Sequence, residues 1–411
     1  ITVIVNLVIY TSIFIASLFQ PLDPDLGWHL KYGEYFFQHG SILRDNTFSL
    51  LMPDYKWINS SWATDLISYQ TFDNFGFIGL SVLGAVVITL TFFFLGKAAK
   101  LNVFEKSIMF PLVLYLVLPV NSVAFRGQLL SLLFLAIMYY ILSKYEKNKK
   151  VVLVLIPLFT LWSNLHGEFI LGLALFSLWA LIYSTKEIYL EYKSNVKKLI
   201  LDNKYLFISL LAVVFATLIN PFGISIYFET IKHLGDPMQK SVTEWQSPTD
   251  FSTVWWHQLF IGLMTVIGIV MMGLGKKTLD KAPFYIPSFV LFIFTFGIRR
   301  YAWPFYYSSV FLLKPVVGFL KPEKERNAAI VALVISGAFL AFSIFTKYPF
   351  SEIRNMNWNQ YCKKSVSCSP RAAQTVIAYK LNNDKLFTIY DHGGWLIWNY
   401  RQILPTIDGR M

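Results

Sequence analysis

Charge is what this sequence has least of. Only 15% of its 411 residues are Asp, Glu, Lys or Arg, while 55% are hydrophobic and 18% aromatic. A soluble globular domain carries about 25% charged and about 45–50% apolar residues. Cysteine is nearly absent. Cys362 and Cys368, in "CKKSVSC", are too few to make a structural zinc site, and they pair as a disulfide only if that segment faces an oxidising compartment. Walker A, Rossmann, HExxH and GxSxG motifs are missing, which counts against an ATP-driven pump. No apolar run carries the spaced charges of a proton relay or voltage sensor, which argues less strongly against an ion-coupled transporter.

Long apolar runs, in contrast, fill the chain. Runs able to cross a bilayer, about 17–25 residues each with shorter ones allowed, lie near 2–20, 76–96, 107–123, 128–143, 150–166, 167–185, 205–220, 257–274, 282–298, 301–320 and 327–345. This pattern predicts a mostly α, polytopic membrane bundle of about 11 spans over residues 1–346, followed by an outer domain at 347–411. The first run has no small-residue cleavage site after it and reads as a span, not a cleaved signal. The sequence opens at Ile1 without Met and closes at Met411 after "IDGR", which reads as truncation at one or both ends.

A net charge of +12 does not call for nucleic acid, because membrane proteins concentrate Lys and Arg in cytoplasmic loops. Loops 97–106, 143–150, 185–204, 275–281 and 314–326 hold 19 Lys and Arg; loops 21–74, 120–127, 164–167, 221–256 and 298–304, which contain more residues, hold 8. The expected location is the cytoplasmic membrane, multi-pass, with the N-terminus inside and the C-terminal segment outside. The cysteine pair then falls on the side where a disulfide persists.

The same division separates the polar residues. The loops read as cytoplasmic are plain solvated charge, as in "SKYEKNKK". Every unusual cluster falls on the other face: "DPDLGWHL", "INSSWATD", "FRGQ", "SNLHGE", "INPFG", "TEWQSP", "RRYAWP", "YDHGGWLIW" and "IDGR". Asp23 and Asp25 end the first apolar run. Capping of the helix that follows accounts for Asp25 but not for both. The pair suits a general base or a hard divalent cation such as Mg or Mn. His29 lies one helical turn beyond and is within reach of the same point.

Residues 26–38 and 60–72 read as two interfacial helices within the first outer loop, 21–74, although their tryptophans also suit a membrane belt. Asn164, His166 and Glu168 sit between two spans, where His and Glu are costly unless paired or functional. Arg126, Arg299 and Arg300 suit phosphate, with snorkelling as the plainer account of any one of them. Glu244 adds another acid. In the tail, "KLFTIYDHGGWLIWNYRQILPTIDGR" reads as strand, Gly-Gly turn, helix and second strand, an incomplete α/β unit. Asp391 and His392 would lie at the end of the first strand, where open sheets place ligands.

Taken in order, "DxDxxWHL…G", "D…FS", "W", "R.Q", "NLHG", "NP.G", "EW.SP", "R", "GGWLIW" and "IDGR" resemble bacterial polytopic proteins of the GT-C glycosyltransferase superfamily, near the protein mannosyltransferase and oligosaccharyltransferase-like enzymes. The resemblance spans essentially the whole chain. It departs at Gly27, where an aromatic is commoner, and at "SSW", where an acid would precede the tryptophan. The resemblance implies transfer of a sugar from a polyprenyl-phosphate donor to a saccharide, lipid or protein acceptor outside the cytoplasmic membrane, among membrane lipids. It implies the arginines on the leaving phosphate and an aspartate as base, with Asp23 expected as catalytic base or metal ligand and Asp25 assisting it. The alternative reading is a non-enzymatic transporter or assembly component for lipid-linked saccharides; a ligand-sensing tail is a third.

Overall fold

The computed structural model describes residues 1–51, 54–192, 195–235, 242–248, 253–274, 278–347, 350–383 and 387–410. Nineteen α-helices occur among them: α1 (Thr2–Ala16), α2 (Leu26–His39), α3 (Trp62–Ala98), α4 (Val103–Leu116), α5 (Leu118–Asn121), α6 (Gly127–Leu142), α7 (Leu155–Leu165), α8 (Phe169–Glu187), α9 (Val196–Asp202) and α10 (Lys204–Ala216). The series continues with α11 (Ser225–Gly235), α12 (Thr253–Leu274), α13 (Thr278–Thr295), α14 (Ala302–Phe319), α15 (Glu325–Lys347), α16 (Ser351–Arg354), α17 (Trp358–Tyr361), α18 (Pro370–Ala378) and α19 (Gly393–Asn399).

Helices that are apolar all round belong in the interior, and α6 and α14 are such helices. Their side chains are buried nearly from end to end, against α3, α4 and α13. The outer helices bury one side only. Leu211 and Phe215 on α10, Leu263 and Val270 on α12, and Val334 and Phe345 on α15 are exposed. Apolar surface of that extent suits lipid rather than water.

Among the described residues three helices, α3, α8 with its extension to Glu191, and α15, are long and apolar enough to cross a membrane; α9 and α10, bent by 73°, make a fourth if they count as one span. The eleven runs read from sequence are therefore more numerous than the helices that meet this test. Several of the remaining helices are short or carry prolines. Pro111 lies within α4, Pro283 and Pro287 within α13, and run 150–166 begins as a 3₁₀ turn before an α7 of 11 residues. At about 1.5 Å per residue such helices fall short of the roughly 30 Å hydrocarbon layer.

The two interfacial segments fare differently. Residues 26–38 form α2, while 60–72 open α3, which continues into the following apolar run through a kink at Gly76 with φ 59°. Only glycine takes that backbone readily.

The α/β tail is not what forms. No strand occurs among the described residues; part of the first expected strand, 384–386, lies outside them. Thr388 and Thr406 approach each other, but each backbone N–H donates to the other's side-chain hydroxyl at 3.0 Å. Side-chain hydroxyls thus occupy the groups a backbone ladder needs. Helices carry the tail, and Cys362 and Cys368 are joined in a disulfide.

Four helices share a direction. α3, α6, α8 and α14 start beside Asp65, Arg126, Glu168 and Arg300 respectively, and run toward Lys97, Lys144, Lys186 and Lys314. At the far end Lys314 donates to the carbonyls of Ala99 and Lys100, and Lys186 pairs with Glu146. The lysine-rich loops and the unusual polar clusters thus occupy opposite ends of these helices.

Candidate functional site

The acid loop between α1 and α2 is held from both sides. Asp23 is 4% exposed. Its Oδ1 accepts the Asp25 backbone N–H at 3.1 Å, and its Oδ2 lies 3.5 Å from Arg126 Nε. The Tyr361 hydroxyl donates to the Asp23 carbonyl at 2.6 Å, and the Ser365 hydroxyl to that of Leu22 at 2.7 Å. Asp25 stands at the start of α2 without making a side-chain cap; its Oδ1 accepts instead from Trp28 Nε1 at 2.9 Å. Asp25 is therefore not the cap, while Asp23 accepts the N–H two residues on in the manner of one. The Asp25 carboxyl is pushed up to about 6, first by burial and then by the charge of Asp23, against the opposing pull of His29, Trp28 and Arg126.

The tail covers this loop. Gly394 packs against Pro24 and Asp25, Gly27 against the Gly394 carbonyl, and Gly409 against the Asp25 carboxylate. Asp408 and Arg410 form a buried pair at 2.7 Å, and the Arg410 guanidinium lies over Trp57 and Phe48 at 4.9 and 5.1 Å. Burial, then the charges of Asp25, Asp408, Asp391 and Glu244, raise the Tyr390 hydroxyl above the ordinary tyrosine value.

His29 turns away from the acid pair toward α3. Its Nδ1 is 2.5 Å from Asp65 Oδ1, and Asn59 donates to Asp65 Oδ2 at 2.6 Å. Burial opposes the imidazolium, but Asp65, then Asp23 and Asp25, outweigh it and raise the pKa. His29 still borders the narrow crevice lined by Asp23, Thr64, Ser68 and Arg126.

A second polar group adjoins the first through Arg126. Arg300 Nε is 2.9 Å from Glu168 Oε1, and its Nη1 is 2.6 Å from Glu244 Oε1. Burial works against the Glu244 charge, but Arg300 and then Arg126 prevail and hold the carboxyl below the usual glutamate range. Arg126 stays charged for the complementary reason: burial opposes it, and Asp23 and Glu244 outweigh burial. Arg299 Nε is buried and has no hydrogen-bond partner among the described residues. His166 and Glu168 do not simply neutralise each other. Their nearest atoms are 3.7 Å apart, beyond hydrogen-bond range.

Of the residues singled out in the sequence, Asp23, Asp25, His29, Arg126, His166, Glu168, Glu244 and Arg300 come together at one end of the bundle. Asn164 is nearby but fully engaged: it accepts from Trp62 Nε1 at 3.1 Å and donates to the Thr160 and Ile219 carbonyls at 2.8 and 2.7 Å. Asp391 is exposed, and His392 Nε2 bonds the Val366 carbonyl at 3.0 Å. With no strand to end, these two have no sheet-edge site to line.

Asp65, Tyr390, Asp408 and Arg410 were not singled out by sequence. For Asp65 the signal was present: an acid was expected before Trp62, and it stands three residues after it, within the first turn of α3. No known protein-family model matches this chain, and no curated protein matches it, so the reading of the site rests on its own residues.

Proposed function

We propose that this chain is a membrane glycosyltransferase that moves a sugar from a polyprenyl-phosphate-linked donor to a saccharide, lipid or protein acceptor on the outer face of the cytoplasmic membrane. One observation carries the reading: Asp25, its carboxyl pushed up to about 6, shares a loop with Asp23, which lies 3.5 Å from the half-buried Arg126 guanidinium at the end of a lipid-suited bundle. A carboxylate with that pKa is a competent base near neutral pH, so Asp25 takes the acceptor proton and Asp23 holds Arg126 in place. The departing lipid phosphate gathers negative charge, which Arg126, Arg299 and Arg300 stabilise. The N-termini of α3, α6, α8 and α14 at this end add to the positive potential. The tail shields the acid loop from water, which competes as acceptor, and holds the acceptor over it.

Among the described residues no group of three His, Cys, Asp or Glu gathers to hold a metal, and the Asp23 carboxylate is already engaged by Arg126. An all-protein cage of the kind Ca takes is not formed, whereas Mg needs only one or two carboxylates with waters and substrate phosphate, so Asp23 and Asp25 are the residues that would hold a divalent cation. No step here depends on one.

The test is transfer by the purified protein in lipid vesicles from a panel of radiolabelled polyprenyl-phosphate sugars. Label is expected to move to acceptor with one member of the panel. Binding of a donor without turnover would support an assembly or transport role instead, and neither binding nor turnover would refute the proposal.

The orientation and the eleven-span count belong to the same proposal, with the shorter helices crossing where the bilayer thins around them. Single cysteines at Ser365 and Asn148, in a background lacking Cys362 and Cys368, are expected to label from outside and inside respectively with an impermeant reagent. Equal labelling from outside would show that the excess of 19 basic residues over 8 does not report sidedness.

A further inference from the structure

The turn joining α7 to α8 carries a histidine whose partners determine where its proton sits. Trp162 Nε1 is a donor only, and it points at Ser131 Oγ, 2.8 Å away. The same Oγ is 2.8 Å from His166 Nδ1. Ser131 has one hydrogen, and no further acceptor for it occurs among the described residues. With the indole hydrogen directed at the oxygen, the hydroxyl hydrogen goes to the imidazole. Nδ1 is then the acceptor, and the proton of the neutral ring is on Nε2.

Glu168 does not compete for that position. Its Oε2 is 3.7 Å from Nδ1, and its Oε1 accepts from Arg300 Nε at 2.9 Å and Gln128 Nε2 at 3.4 Å. The ring also stays neutral: burial, followed by Arg300 and Arg126, holds its pKa well below the ordinary histidine value. The Cγ–Cδ2 edge lies against the Arg126–Gly127 turn, where a Cβ on Gly127 would stand 2.8 Å from Cδ2 and 3.4 Å from Cγ; Nε2, on the far side of Cδ2, makes no hydrogen bond among the described residues. Glycine at this position is what lets the edge approach the start of α6.

We propose that His166 is a neutral hydrogen-bond donor, through Nε2–H, to an oxygen of the anionic phosphate that Arg126 and Arg300 attract, and that Ser131 and Trp162 are positioning residues that fix its tautomer. This rests on the donor being a lipid phosphate. Guanidinium charge attracts an anion from many directions; a fixed N–H aims it at one oxygen. Because His166 stays neutral, it orients the phosphate without delivering a proton to it.

Two measurements test this separately. In protein labelled with ¹⁵N-histidine, one ring is expected to show a protonated Nε2 and a bare Nδ1 unchanged between about pH 5.5 and 7.5, the range in which an ordinary histidine titrates. That signal should vanish in His166→Gln and lose its single tautomer in Ser131→Ala. A ring at this position that titrates in that range, or carries its proton on Nδ1, overturns the tautomer and the proposal.

The second measurement is binding of farnesyl phosphate. His166→Gln, which keeps an N–H near the Nε2 position, should bind within a few-fold of wild type, and His166→Ala about ten- to a hundredfold more weakly, the loss expected of one hydrogen bond to a charged group. Equal binding by His166→Ala would overturn the role of His166 alone. Failure of the wild type to bind would overturn the lipid-phosphate reading on which that role rests.

Discussion

Asp25→Asn is expected to lower sugar transfer by a factor of about a hundred to ten thousand, the range associated with a positioned general base, while the protein still folds and still binds donor. The amide keeps an oxygen for Trp28 Nε1, so the local hydrogen bond at 2.9 Å survives and only the basic group is lost. The wild-type pH profile gives a second check. Asp25 is raised to about 6 and works as the carboxylate, so transfer should fall as pH drops through about 6. The charge of Asp23 is the second cause of the shift, after burial. Asp23→Asn should therefore move the acid limb to lower pH, and it should also depress the rate by releasing Arg126 from the carboxylate that lies 3.5 Å away. A profile flat across pH 5 to 7, or near-normal transfer by Asp25→Asn, would remove Asp25 from the role of base.

How much of this site could be read in advance follows from how each residue reaches it. Asp23, Arg126, Glu168, Glu244 and Arg300 are charges in a chain that otherwise avoids charge, and all but Glu244 border an apolar run; scarcity made them visible. Their gathering at one end follows from the alternation of basic and polar loops, which the common direction of α3, α6, α8 and α14 expresses in three dimensions. Asp65 was harder to see because its partner is 36 residues earlier: only the packing of α2 on α3 brings His29 Nδ1 to 2.5 Å from it. The tail was misread for a related reason. "KLFTIY" and "ILPTI" have β-rich composition, but β-propensity reflects the surface a segment packs against more than the backbone itself. Here the segments end at a helix, α19, docked on α2, and Thr388 and Thr406 satisfy each other through hydroxyls. The eleven runs outnumber the helices that meet the span test because hydropathy reports apolar length, whereas several of the runs form helices as short as the 11-residue α7.

Gly27, where the sequence departs from the family pattern it resembles, becomes intelligible from the same docking, and it gives the second large expected effect. A Cβ on Gly27 would fall inside any allowed distance from the Gly394 carbonyl, and one on Gly394 would meet the Pro24 carbonyl and come within 3.4 Å of Asp25 Cα. Both obstacles are backbone, so no rotamer change relieves them; α19 must lift from α2. Gly27→Ala is therefore expected to cost about 1–3 kcal/mol or more, as overpacking does. It should also reduce transfer sharply, because lifting α19 uncovers Asp25 and admits water to a carboxyl whose pKa depends first on burial. That pKa should fall toward the ordinary aspartate value, shifting the acid limb down in whatever activity remains. Farnesyl phosphate binding through Arg126 and Arg300 should persist, which distinguishes undocking from general collapse. Gly337→Ala supplies the control: nothing lies within 4 Å of a Cβ there, and Ala in mid-helix is favoured over Gly by about 0.5–1 kcal/mol. Thermal unfolding in one detergent compares the two directly, with Gly27→Ala lowering the midpoint and Gly337→Ala holding or raising it. Should Gly27→Ala match the control in both midpoint and transfer, the close approach of α2 and α19 is not what holds the acid loop, and the covering role given to the tail falls with it.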